Sequence, residues 1–229
     1  MNIDNEIVKA EFIMRENRFR GFVKLNGEAI MVHVPNTGRC KEILIPGITV
    51  ILRRENGEGR KTQYDLIAAY KRDKLINIDS HIPNKVVEEA LRLGKINKLK
   101  QFSIIEKEKT FGNSRFDFKL SNDRENYYLE VKGVTYEEEG HARFPDAPTE
   151  RGKKHLLELI EAKSMGIGAG VLFLLQMDKM KSFSPFDEKD KAFGDALRLA
   201  KEKGVDIFAY ECEVKENSIS LSNKIEIKL

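Results

Sequence analysis

Ser114-Arg115-Phe116-Asp117-Phe118, followed shortly by Leu129-Glu130-Val131-Lys132 and then by Arg151, Lys154 and His155, is the stretch on which the fold and the chemistry turn. Strand periodicity puts Glu130 and Lys132 on one face with Val131 turned away. If the two β-type runs form a hairpin centred between Asp123 and Arg124, Asp117 lies opposite Glu130, with Cβ atoms roughly 5 Å apart. Two carboxylates that close repel unless a cation or a shared proton relieves them. A hard divalent ion, Mg²⁺ or Mn²⁺, is the simplest relief, because it takes carboxylate oxygens. Lys132, one pleat on, is then placed to orient a water or offset charge on a phosphate. That combination is an arrangement for metal-assisted phosphodiester hydrolysis.

Glu-x-Lys alone is a weak signal, since it recurs at Glu161-Ala162-Lys163, Glu213-Val214-Lys215 and Glu226-Ile227-Lys228. Only the first instance has an aspartate at hairpin spacing upstream and a basic helix downstream. Pro145-Asp146 follows the Glu-x-Lys instead of preceding it and is set aside. In the predicted helix after Pro148, Arg151, Lys154, His155 and Glu158 share one face. An exposed charged face explains that pattern by itself; beside the hairpin, Lys154 and His155 become phosphate contacts. His33, His81 and His141 are isolated; His141, in the loop just beyond Lys132, could approach the same cleft.

The 229 residues, 41% hydrophobic and 34% charged, exclude disorder, collagen and coiled coil. No apolar run reaches the roughly 18 residues of a membrane helix, and the acidic amino terminus is no secretory signal, so a cytoplasmic protein without membrane contact is expected. Cys40 and Cys212 lack the spacing of a zinc site or a disulfide framework and read as buried small residues in a reducing compartment. The net charge of +3 falls entirely in the first 80 residues. The basic stretch from Arg39 to Lys74, including Arg53-Arg54, is a mild footprint for a polyanion, though a plain solvated surface also accounts for it.

Ile7–Met14, Arg18–Leu25, Glu28–Val34, Ile48–Arg54, Tyr64–Tyr70 and Leu75–Ile78 read as strands, and Asn26-Gly27 as a hairpin turn. Several short strands without a helix suggest a small OB-like barrel over residues 1–81. Pro35-Asn36-Thr37-Gly38 opens a long loop that closes at Pro46-Gly47. Residues 82–229 mix helices (Asn84–Leu93, Pro148–Met165, Glu188–Lys203) with strands (Phe116–Ser121, Asn126–Val131, Ala169–Leu175, Asp206–Val214, Lys224–Lys228), which predicts an α/β or α+β domain.

At these residues the chain resembles the sugar fermentation stimulation protein A (SfsA) family, bacterial and archaeal proteins described as non-specific DNA binders. The resemblance rests on His33-Val34-Pro35-Asn36-Thr37-Gly38, on Ser114–Phe118, on Glu130-Val131-Lys132-Gly133-Val134-Thr135 and on the long run Phe144–Leu156. It implies an OB-like barrel followed by a PD-(D/E)XK nuclease-like domain with a mixed sheet flanked by helices. Asp117, Glu130 and Lys132 then match the metal-binding and catalytic motif, Glu89 the additional acidic ligand, and Phe116 stands where the motif's name has proline. Arg151, Lys154, His155, Arg115, Arg53 and Arg54 are the expected nucleic-acid contacts. DNA is the expected partner, with RNA left open and a homodimer through apolar barrel edges compatible. Two functions compete: a Mg-dependent nuclease centre, and a non-catalytic DNA-binding regulator of sugar (maltose) metabolism built on a nuclease-like scaffold. Cleavage does not follow from fold alone.

Overall fold

Alternating apolar and polar side chains make the first third of the chain β. Its strands are β1 (Ile7–Arg15), β2 (Arg20–Leu25), β3 (Glu28–His33), β4 (Thr49–Arg54), β5 (Tyr64–Lys71) and β6 (Lys74–Asn77) in a computed structural model that describes residues 1–229 apart from Glu58. Asn26 and Gly27 both take positive φ, 53° and 90°, as the two-residue turn between β2 and β3 requires. The strands run in the order β3-β2-β1-β4-β5-β6, and a bridge between His33 and Asp65 joins β3 to β5, closing the first five into a barrel. Phe12, Val23, Val32, Val50, Leu52 and Leu66 fill its interior.

The second unit begins with α1 (Ile82–Arg92), whose first turn accepts Pro83 because no N–H is needed there. After a 3₁₀ turn at Asn97–Leu99 come β7 (Ile104–Phe111), β8 (Ser114–Ser121), β9 (Asn126–Val134), β10 (Glu137–Glu138), β11 (His141–Phe144) and α2 (Glu150–Ser164). Then follow β12 (Gly168–Leu175), β13 (Ser182–Pro185), α3 (Asp187–Glu202), β14 (Asp206–Lys215), β15 (Ser218–Lys224) and β16 (Glu226–Ile227). The main sheet has the order β15-β14-β12-β9-β8-β7, parallel at β9–β12–β14 and antiparallel outside it. β10, β11, β13 and β16 form a small second sheet. Ile82, Val86, Val87 and Ala90 of α1 cover one face of the main sheet over Leu129, Val131, Leu172 and Leu174. Leu156 and Leu159 of α2 and Phe193 and Leu197 of α3 cover the other, over Val171 and Phe173. The expected architecture, a barrel followed by a mixed sheet flanked by helices, is the one found.

Several elements differ from the reading of the sequence. β7 was not anticipated: it is an edge strand with most residues exposed, so Glu106, Lys107, Glu108 and Lys109 mask any alternation. β11 and β13 are too short to leave a periodic signal. The predicted strand Lys224–Lys228 is divided: Lys224 ends β15, which pairs with β14, and Glu226–Ile227 joins the small sheet beside β13. No helix among the described residues is long and apolar enough to cross a membrane. Cys40 and Cys212 are free and buried, as expected, and burial pushes the Cys40 thiol up to about 12.

Candidate active site

The β8–β9 ladder runs from Ser121 opposite Asn126 to Phe118 opposite Leu129, the register that sets Asp117 against Glu130. There the ladder gives way to side-chain bonds. Asp117 Oδ2 accepts the Val131 N–H at 2.7 Å, and Oδ1 accepts Asn84 Nδ2 of α1 at 2.7 Å. Glu130 is buried. Its Oε1 receives Lys132 Nζ at 2.5 Å and lies 2.6 Å from His155 Nδ1, while its Oε2 is buried with no hydrogen-bond partner among the described residues. Asp117, Glu130 and Lys132 line one cleft of about 470 Å³. Its far wall is Asn36, Thr37 and Gly38 of the barrel, so the site lies between the two units.

Burial, and then the Glu130 charge, push the Asp117 carboxyl up to about 6, against the opposing pull of its Val131 and Asn84 hydrogen bonds. Burial also works to raise Glu130, but the hydrogen bond from His155 and the adjacent Lys132 charge win, and the group is held below the usual carboxylate range. His155 and Lys132 thus favour the charged form of Glu130, while burial and the Glu130 charge favour the protonated form of Asp117, a conflict that a cation would relieve. A buried carboxylate oxygen without a partner is costly, and a cation between Asp117 and Glu130 would satisfy it. Among the described residues no group of three or more His, Cys, Asp or Glu side chains is gathered to hold a metal. A hard ion that keeps much of its water needs only one or two carboxylates, the number this pair would offer it.

The other predicted site residues are distributed unevenly. Arg151 lines the cleft. His155 is buried against Glu130 and the Phe116 ring, so it supports the carboxylate from behind and does not present itself to a substrate. Lys154 is half-exposed and donates to the Asn113 carbonyl, outside the residues that line the cleft. Glu89 is a correction: its Oε2 pairs with the Met1 ammonium at 2.8 Å and does not line the cleft. Arg53 is also removed from the surface role expected of it, because Asp79, Asp65 and Glu55 surround its guanidinium inside the barrel domain. Arg54 pairs with Glu6 and Arg115 with Glu108, both on exposed surface away from the cleft lining. His141 turns to Ser182 and Ser184, at 2.6 and 2.9 Å, and lies outside the cleft lining.

Sequence reasoning missed Asn84, Gln176, Thr149 and Asp146, all in the cleft wall. Asp146, set aside for its position after the Glu-x-Lys, faces Gly38 of the barrel loop, and burial raises its carboxyl above the ordinary range. The available signal was the length of the Phe144–Leu156 run, which reaches back to the cleft at Asp146, Thr149 and Arg151.

A closed five-stranded OB barrel joined to a mixed α/β sheet, with paired carboxylates and a lysine at the junction, defines a two-domain protein class. Residues 13–78 match the SfsA N-terminal OB domain and residues 81–218 the sugar fermentation stimulation protein RE domain. Sugar fermentation stimulation protein homologs of Clostridium botulinum (strain Hall) and Clostridium tetani are 65% and 64% identical to it, each over 100% of both chains. The structure of Pyrococcus furiosus SfsA in complex with Ca²⁺ is similar over 100% of both chains, with a TM-score of 0.90 at 26% identity. The chain belongs to the SfsA family.

Proposed function

We propose that this chain is a nucleic-acid-binding phosphodiesterase whose hydrolytic centre is the Asp117–Glu130–Lys132 cleft, loaded with a divalent cation. The observation that carries the reading is the buried, unpartnered Oε2 of Glu130 beside the proton-prone carboxyl of Asp117. The Ca²⁺ bound by the Pyrococcus furiosus relative supports a cation here. Asp117 and Glu130 would hold the ion, which supplies charge neutralisation at a phosphoryl oxygen and a more acidic water. The chain's own groups prepare that chemistry. Asn84 and the Val131 amide fix both oxygens of Asp117. His155 and Lys132 fix Oε1 of Glu130 and leave Oε2 free for the ion. The ammonium of Lys132, which lines the cleft, can hold a water by hydrogen bond or offset the charge that develops on the phosphate. Arg151 on the cleft wall is suited to a neighbouring phosphate as a planar fork.

Two measurements test this. Calorimetric titration with Mg²⁺, Mn²⁺ and Ca²⁺ should show binding that Asp117→Ala abolishes. Cleavage of single- and double-stranded DNA and RNA should require Mg²⁺ or Mn²⁺ and fall at least about a hundredfold in Lys132→Ala. Cation binding with no cleavage of any of these polymers would overturn the hydrolytic reading in favour of a regulator that binds DNA without cutting it.

A further inference from the structure

A second cavity, of about 510 Å³, opens on the barrel beside the carboxylate cleft and shares Gly38 with it as a common wall. Its character is different. Phe12, Met14, Leu44 and Pro46 give it an apolar lining, and Met14 is half-exposed there. Arg18, Arg39 and Lys41 stand around it, all exposed, and none of the three side chains makes an ion pair or hydrogen bond among the described residues. Elsewhere on this surface cations are commonly paired, as Arg54 with Glu6 and Arg115 with Glu108 are. The shared wall is held rigidly: the Arg15 guanidinium donates to the carbonyls of Asn36, Gly38 and Arg39 on the loop and of Asn17 and Arg18 on the β1–β2 turn.

From this juxtaposition we infer that the hollow is a nucleobase pocket, so that the polymer engaged by the cleft is single-stranded nucleic acid with one base turned out against the barrel. This deepens the proposed function and rests on it for the scissile phosphate. An apolar floor takes the π-face of any base, and unpaired cations around it take the flanking phosphates. A base inside a duplex is stacked and paired and cannot enter a hollow of this kind without being extruded. Continuity through Gly38 puts the base pocket and the carboxylates along one strand.

The test is fluorescence anisotropy with short labelled oligonucleotides in Ca²⁺, using the full-length protein. The probes are a single strand of DNA, the same strand of RNA, an abasic strand with the same sugar-phosphate chain, and a blunt duplex. The pocket requires a base-bearing single strand to bind about tenfold tighter than the abasic one. Whichever of DNA and RNA shows that dependence identifies the source of the base. Met14→Glu should erase the discrimination, and the double variant Arg39→Glu/Lys41→Glu should weaken every strand while leaving the calorimetric Ca²⁺ titration unchanged. Equal affinity for abasic and base-bearing strands, a duplex bound as tightly as the single strand, or no strand bound at all would each overturn the pocket. The Ca²⁺ titration of the wild type and Asp117→Ala, run without nucleic acid, reports separately on the cleft, so the two readings can fail independently.

Discussion

Asp117 carries the conflict that a cation would resolve. An aspartate ordinarily ionises near 3.8; here burial first, and the Glu130 charge second, push it up to about 6. Its protonated form therefore contributes stability that is complete below 3.8 and is lost as the pH rises through about 6. Protons and a divalent ion compete for the same oxygens. A saturating cation should then raise Tm by on the order of 5 °C at about pH 7.5, and by much less at about pH 5. Differential scanning calorimetry at the two pH values checks this, and equal shifts would show that the ion sits elsewhere. His155 acts at the same scale from behind the cleft: with Nδ1 at 2.6 Å from Glu130 Oε1, it fixes which carboxylate oxygen is left free.

At the level of elements, the site depends on how closely β9 approaches the end of β12 and the start of α1. Gly133 is the point of closest approach: a Cβ there would lie 2.8 Å from Pro83 Cγ and closer still to the Gln176 side chain. Gln176 is not free to move, because its Nε2 donates to the Asn77 and Asp79 carbonyls at 3.1 and 3.2 Å. Gly133→Ala should cost about 1–3 kcal/mol by overpacking. Urea unfolding measures it, and a midpoint equal to the wild type would mean the junction is looser than its distances. Helix α2 makes the companion point. The face bearing Arg151, His155 and Glu158 looks solvated by composition, yet His155 and Glu158 are both buried because α2 packs on the face of the sheet over β12, β9 and β8. Helix α1 explains the displacement of Glu89. Asn84 faces Asp117, and a residue five positions later is rotated roughly 140° around the helix. Glu88, on Asn84's side, is occupied by Arg92 and Lys107.

Across the whole molecule, the barrel and the mixed-sheet unit are tied together by polar bonds that are buried or partly buried. Gln176 donates to Asn77 and Asp79, and Glu137 of β10 receives Lys71 and Lys74 from the barrel at 2.8 and 3.1 Å. Burial works to raise Glu137, but the hydrogen bonds from Lys71 and Lys74 override it and hold the carboxyl at about 2. That ion pair therefore stabilises the fold fully above about 4.5, the ordinary glutamate value, and its contribution drains away as the pH falls towards about 2. Glu137→Gln should cost roughly 1–2 kcal/mol near neutrality, with the gap to wild type closing below about pH 4.5. Thermal unfolding across that pH range tests it; a gap independent of pH would assign the loss to packing.

The Asp117–Glu130–Lys132 grouping, the β8–β9 register, the barrel strands and the three helices were legible in the residues, because each depends on a local period or a local turn. A strand repeats every second residue and a helix at 3.6, and Asn26-Gly27 fixes its own turn. The pairing across the domain junction leaves no such trace. Nothing local in Asn36, Gly38, Asp146 or Gln176 announces a shared cleft, since what gathers them is the docking of the barrel against the ends of β9 and β12. Within the barrel, β4–β5 pairing turns Arg53 inward onto Asp65 and Asp79, while Arg18, Arg39 and Lys41 face solvent. Side-chain chemistry marked out the candidate groups; long-range packing, which no window of the chain contains, chose their neighbours.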